Sequence, residues 1–428
     1  MLLTSKKTPK MVVLGLDGLP LTLARKIAPE LPNLKKIIDH AVENHAEIPE
    51  LSPVNWTSLY TGVGPEKHGI YGFTEIDHLN YKLSITDFSR VKSRTIFDKL
   101  DERGLRTRSI NLPNTYPARK IRGMMISGFV AHDIDKAVYP HFLASRLKES
   151  GYLLEADTTR GIMDPYYLLK QVYATLECRM KALDMLFDDL GWDLFIFVLT
   201  ETDRLFHFFY PAFENADHNL HKDCLEFLKT WDAAIGIFLK KYENIPGKKR
   251  LLVLADHGFT SLETEIDINA WLKQNGYLSL KHTPENQWDA SAISDNSSAF
   301  ALDPGRIYIH TRENFSRGCV DKSNANFIAE KIRSELINLS FNGTPVFEHI
   351  YTGKELYGPD AIGDVPDLVC RTKPGYDLKA KFDRDEIFGF FGRTGTHTVG
   401  DAFFYDSQGN VPERMRDTGQ MILDWFGI

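Results

Sequence analysis

The stretch MVVLGLDG, Met11 to Gly18, decides the fold. Its first six residues are apolar or glycine whichever way the side chains alternate, and Asp17 and Gly18 close it. A run that is apolar on both faces suits a strand covered on both sides, as in a parallel sheet packed between helices. Two further runs read the same way: WDLFIFVLT, Trp192 to Thr200, and LLVLAD, Leu251 to Asp256. Helix-like segments separate them. One runs from Thr22 to about Val42, one ends at Gly104 before the strand-like RTRSINLP, and one spans roughly His218 to Lys241. Strands alternating with helices predict an α/β fold, a mostly parallel central sheet with helices on both faces.

The chain has 428 residues, 43% of them hydrophobic, which is enough for one large core or two. Two stretches break the rhythm, about 130–165 and 278–322, the second containing the strand-like IYIH. Read as cap or loop insertions, they leave a single elaborated domain over 1–428. A net charge of −7, with bases interleaved among acids, provides no basic stripe for a nucleic-acid polymer. No apolar run is long enough to span a bilayer. Cys178, Cys224, Cys319 and Cys370 form no C-x-x-C pair, which argues against a thiolate metal cage or a disulfide framework. The opening MLLTSKKTPK lacks the pattern of a secretory signal, so a cytoplasmic location is expected.

Open parallel sheets bind ligands beyond the carboxyl ends of their strands. Asp17 closes the first run, Asp203 and His207 follow the second, and Asp256 and His257 close the third. On a helix, the four-residue spacing of Asp203 and His207 puts carboxylate and imidazole on one face. Asp256 and His257 are adjacent, so they can converge only where the strand has ended; Gly258 permits that turn. His397 stands in GRTGTHTVGD, read as a Gly-rich loop before the strand-like AFFY. Alone it would be taken for a structural or exposed histidine. Ser52, in PELSPVNWTSLYTG, opens a helix-like stretch, where the dipole and free N–H groups favour a phosphate. Alone it would be taken for a helix cap.

Taken in order, these motifs are more specific than any one of them. D-G after the first strand, S-P-x-N followed by T-G-x-x-P-x-x-H-G-I, D-R-x-x-H-x-F, D-H-G and G-x-H resemble the type I phosphodiesterase/nucleotide pyrophosphatase branch of the alkaline phosphatase superfamily. The likeness is closest to its intracellular phosphohydrolase and phosphomutase group. The resemblance implies one metal held by Asp203, His207 and His397, and a second held by Asp17, Asp256, His257 and the Ser52 oxygen. It makes Ser52 the nucleophile and Asn55 the amide that touches a phosphoryl oxygen. Where nucleotide pyrophosphatases carry Thr-Phe-Pro-Asn, this chain has Ser52-Pro53-Val54-Asn55, which blurs the substrate class.

The implied chemistry is phosphoester hydrolysis through a phosphoseryl intermediate, with two divalent ions activating the serine and the leaving oxygen. Oxygen and nitrogen ligands without thiolate suit Zn(II), with Mn(II) as the other candidate. The expected partner is a small phosphoester, with neither a nucleic-acid polymer nor a membrane. A phosphomutase on the same site and a silent metal-stabilised binding protein are the alternatives. A sulfatase would need an arginine that the serine motif lacks, and a serine esterase would need a G-x-S-x-G elbow. The aromatic run Phe206, Phe208, Phe209 and Tyr210 reads first as core and second as a base-stacking slot. Arg204, Lys67 and His68 could meet a phosphate or serve only in structure.

Overall fold

The computed structural model describes residues 8–428; the first seven residues, on which the reading of the leader partly rests, lie outside the described residues. The chain forms two compact units. One comprises the residues up to Gly64 with Asp87–Thr260 and His397–Ile428; the other comprises Pro65–Thr86 and Ser261–Thr396.

The first unit is built on an eight-stranded sheet. Its strands in chain order are β1 (Lys10–Leu16), β2 (Val42–Asn44), β3 (Thr107–Leu112), β4 (Gly123–Ser127), β5 (Val138–Tyr139), β6 (Leu194–Leu199), β7 (Lys249–Leu254) and β8 (Ala402–Asp406). Across the sheet they lie in the order β2-β8-β7-β1-β6-β3-β4-β5. The five central strands, β7 to β4, run parallel, and the antiparallel pairings are confined to the margins. This is the mostly parallel sheet that the apolar runs predict.

Both faces are packed. Val12 and Leu14 stand in register with Phe195 and Phe197 on one side and with Leu251 and Val253 on the other. Helices α2 (Pro165–Phe187) and α4 (His221–Glu243) cover this face, Phe187 meeting Phe195 and Phe238 stacking on Phe197. Helix α1 (Ser52–Thr61) lies on the opposite face. Gly15 makes that approach possible: a Cβ there would fall 2.4 Å from the Trp56 ring. The bare backbone of β1 is the seat of the helix that begins at Ser52. The aromatic run lies on α3 (Glu201–Glu214), where Phe206, Phe209 and Tyr210 belong to the core, in line with their first reading.

Two local expectations change. The single helix read from Thr22 to Val42 is broken into Leu21–Ile27, a short 3-10 turn and Pro32–Ile38. Pro29 and Pro32 withhold the N–H groups that a continuous helix would need. The 130–165 stretch is more regular than its composition suggests, contributing β5 and the helix His141–Glu149.

The second unit has its own core of Phe300, Ile307, Ile309, Ile332 and Leu368, among others. It contains a four-stranded antiparallel sheet in which the IYIH segment supplies Arg306–Ile309. His310 falls just beyond that strand, buried, with Nδ1 2.8 Å from the Ser297 carbonyl.

Candidate metal and catalytic site

Three neighbouring parallel strands, β7, β1 and β6, deliver the charged residues to one edge of the sheet. Asp17 directly follows β1, Asp256 and His257 follow β7, and α3 begins two residues after β6. Three bonds lock these ends together. Asp17 N–H donates to the Leu199 carbonyl at 2.9 Å, Thr202 Oγ1 donates to the Asp17 carbonyl at 2.6 Å, and Gly18 N–H donates to Asp256 Oδ1 at 3.1 Å. Gly18 has φ +67°, and a Cβ there would stand 3.2 Å from both Asp203 and His257. Only glycine fits that turn without strain.

The acidic and imidazole groups form two triads. In each, ligand atoms lie within 4.8 Å of one another: Asp17, Asp256 and His257 in the first, Asp203, His207 and His397 in the second. Ser52 Oγ belongs with the first, 3.4 Å from Asp17 Oδ1 and 3.3 Å from His257 Nε2. Ser52 is the first residue of α1 and Leu51 is its cap, so the serine side chain does no capping. In the second triad, Asp203 Oδ1 is 3.5 Å from His207 Nε2 and 3.2 Å from His397 Nε2. The two imidazole nitrogens are themselves 3.1 Å apart. His257 and His397 stack at 3.7 Å between ring centroids, bringing the triads side by side.

Backbone carbonyls fix which nitrogens face inward. A carbonyl only accepts, so His397 Nδ1 donates to Glu50 at 2.8 Å and His257 Nδ1 donates to Gly258 at 3.1 Å. Each ring then presents Nε2 as a bare lone pair, the form a metal requires. His397 lies on the short strand Gly395–Thr398, not in the loop that its glycines suggest. Alternating Thr396 and Thr398 favour extended backbone, while Gly395 and Gly400 only flank it.

The electrostatics differ between the triads. Burial pushes the Asp17 carboxyl well above its usual range, and the Asp256 and Asp203 charges push further. Asp256 is pushed up to about 6 by burial and then by Asp203. At Asp203 burial again opposes the charge, but His207 and Arg204 hold the group well below the ordinary carboxylate range. Burial lowers both His257 and His397. Asp203 Oδ1 and Asp256 Oδ2 are buried and accept no hydrogen bond among the described residues. Orphaned carboxylate oxygens facing imidazole lone pairs are costly unless a cation sits among them. The donor set, carboxylate and imidazole without thiolate, fits a divalent ion such as zinc.

Residues 11–398 match the type I phosphodiesterase/nucleotide pyrophosphatase family. The chain belongs to this family of phosphoester hydrolases. No curated protein matches the sequence. Among solved structures, murine ectonucleotide pyrophosphatase/phosphodiesterase 5 aligns over 98% of this chain and 95% of its own, with 14% identity and a TM-score of 0.56. The phosphonoacetate hydrolase of Sinorhizobium meliloti in complex with phosphonoformate aligns over 98% and 96%, with 16% identity and a TM-score of 0.62. At such identities the likeness speaks for the fold, an alkaline phosphatase-like one.

In this phosphodiesterase-family chain, one expected group is placed differently from its simplest reading. The Asn55 amide is wholly buried, with Oδ1 accepting from Glu47 N–H at 2.7 Å and Nδ2 donating to the Leu51 carbonyl at 3.1 Å. These two bonds use Oδ1 and one N–H of the amide. Lys67 and His68 fall in the second unit, where the buried His68 accepts from Ile70 N–H at 3.1 Å. Glu50 is a contributor the sequence could not announce, since it acts through a backbone carbonyl. Glu155 is another: it lies in the irregular 130–165 stretch and binds Arg204 with both oxygens, at 3.1 Å each.

Proposed function

We propose that the chain hydrolyses small phosphodiesters or phosphomonoesters with Ser52 as nucleophile and two divalent cations held by the two triads. The observation that supports this most is the placement of Ser52 Oγ, 3.4 Å from Asp17 Oδ1 and 3.3 Å from His257 Nε2, at the first residue of a helix. Asp17, Asp256 and His257 with the Ser52 oxygen would hold one ion, and Asp203, His207 and His397 the other. Zinc is the preferred ion and manganese the alternative. Bound there, the ions would supply Lewis acidity to the nucleophile and the leaving oxygen.

The chain's own groups account for the remainder. The Ser52 hydroxyl hydrogen points to Asp17 Oδ1, which leaves the Oγ lone pairs for phosphorus. Attack passes the hydroxyl proton to Asp17, forms an Oγ–P bond and breaks the bond to the leaving oxygen, which departs as the alcohol with a proton from solvent and leaves a phosphoseryl ester. The start of α1 places its dipole toward the charge on the non-bridging oxygens, and the second Asn55 N–H is assigned to one of them. Water then splits the Oγ–P bond and restores Ser52. The family match runs across both compact units, which supports reading 1–428 as one elaborated catalytic domain, with 130–165 and 278–322 as its insertions.

Four cysteines without disulfides support a cytoplasmic setting. Among the described residues, no helix is long and apolar enough to cross a membrane. The test is to mix zinc-loaded protein with chromogenic mono- and diesters, quench with acid, and map adducts by mass spectrometry. The expected result is turnover and a phosphoryl or alkyl-phosphoryl group on Ser52. Turnover with the adduct on another residue would refute the nucleophile, and absence of turnover with either metal would refute the hydrolase.

A further inference from the structure

Asp203 has two oxygens with different fates. Oδ1 faces the imidazoles of His207 and His397, whereas Oδ2 accepts from Arg204 Nη1 at 2.9 Å. Arg204 in turn is held from the other side, Nε and Nη2 each 3.1 Å from a different oxygen of Glu155. Its guanidinium also lies over the Phe129 ring, 4.6 Å from the centroid. Arg204 and Glu155 are largely shielded, with side chains 14% and 21% exposed. A planar fork gripped along one edge and stacked on a ring has little freedom to turn.

We infer that Glu155 and Arg204 are positioning residues for the second triad: they clamp Asp203 Oδ2 so that Oδ1 alone is presented as a monodentate metal ligand. Two consequences are geometric. Without the clamp, Asp203 could rotate about its Cβ–Cγ bond and offer either oxygen, or both, which would disturb the spacing to His207 and His397. Without Arg204, the buried Asp203 carboxylate would also lose its guanidinium contact. Glu155 matters because it fixes Arg204: with Nε and Nη2 both bonded to Glu155, Nη1 is left aimed at Asp203 Oδ2. Oriented partners of metal-binding carboxylates commonly govern affinity in this way. A lysine could not replace Arg204, since one ammonium cannot hold Glu155 with two parallel bonds while reaching Asp203.

The inference rests on the two-ion reading of the triads, and the experiment separates the two. Zinc binding to the full chain is measured by competition with a chromophoric chelator, for wild type, His397→Ala, Arg204→Gln, Arg204→Lys and Glu155→Gln. Wild type is expected to take two ions and His397→Ala to weaken one of them; if wild type takes fewer than two, the metal reading itself fails. With that reading intact, Arg204→Gln should weaken the same ion as His397→Ala by roughly ten- to a hundredfold, the range for lost outer partners. Glu155→Gln and Arg204→Lys should weaken it by a smaller factor, leave the other ion unchanged, and recover turnover at saturating zinc. Glu155→Gln and Arg204→Lys remain informative if Arg204→Gln does not fold. Wild-type zinc affinity in Glu155→Gln and Arg204→Lys, or equal weakening of both ions, would overturn the clamp.

Discussion

The two triads stand side by side, yet they are built in opposite ways. Asp17, Asp256 and His257 are delivered by the ends of adjacent core strands and are fully buried. Their carboxylates repel each other, and burial raises both. Asp203 and His207 lie one turn apart on α3, His397 arrives from the far end of the chain, and Arg204 supplies a permanent cation. The first triad therefore has rigid geometry and unbalanced charge. The second has balanced charge, but its geometry is assembled from distant segments. Removing a group from the first should cost chemistry, and removing one from the second should cost occupancy.

The sharpest break comes at Ser52, which touches the first triad only. Ser52→Ala should lower phosphoester turnover by at least about a thousandfold, the scale on which nucleophile deletions act. Zinc stoichiometry and the thermal midpoint should stay close to wild type, because the six Asp and His groups of the two triads remain. Turnover within about tenfold of wild type in the zinc-loaded variant would remove Ser52 from the reaction.

Asp17→Ala and His397→Ala test the contrast directly. Asp17→Ala deletes the acceptor of the Ser52 hydroxyl, so activity should fall by roughly a hundredfold or more and respond little to added zinc. His397→Ala leaves Asp203 and His207, and two protein ligands hold zinc poorly compared with three or four. Its activity should fall as steeply at limiting zinc and recover partly in excess. Plots of activity against free zinc for both variants provide the measurement. Equal rescue of the two would erase the distinction.

Much of this was legible because strand ends are local. Apolar runs closed by Asp17 and Asp256 announce both the sheet and the edge where its acidic and imidazole groups gather, and the four-residue step from Asp203 to His207 announces a helix face. The parts that depend on long-range packing were not legible. Nothing near Gly15 in sequence indicates that the Trp56 ring lies against it. His397 sits among glycines that suggest a loop, yet its ring is fixed by the carbonyl of Glu50, 347 positions away. The break at 28–31 is local, and Pro29 and Pro32 carry it in the sequence.

Gly15 offers a smaller perturbation of the first triad. In Gly15→Ala the new methyl carbon would press on Trp56 and on Val198, so α1 must shift outward and carry Ser52 with it. Overpacking of this kind costs about 1–3 kcal/mol. Activity should drop by roughly tenfold, since sub-ångström misplacement of a nucleophile is felt strongly. Zinc binding at the second triad should persist. A variant with wild-type stability and rate would mean that the seat of α1 is looser than the packing indicates.

The smallest effect concerns a buried carboxylate that lacks the triads' orphaned oxygens. Asp267 is pushed up to about 6, chiefly by burial, although both its oxygens are used, Oδ1 by Ala270 N–H and Oδ2 by Lys381 N–H, each at 3.0 Å. Its folded value lies above the value of about 3.9 expected in the unfolded chain. Between these two values the folded state therefore holds more proton than the unfolded one, and stability falls as pH rises through that window. Above about 6 the effect is constant, having removed about 3 kcal/mol. Asp267→Asn keeps an acceptor for the Ala270 N–H and cannot ionise, so it should flatten this slope. The measurement is the urea midpoint of both proteins at pH 4.5 and pH 7, with and without zinc. On the two-ion reading, zinc should raise the pH 7 midpoint of both proteins equally, because it would act at the triads and Asp267 already has its partners. A zinc-dependent difference between the two would show that Asp267 is coupled to the metal centre after all.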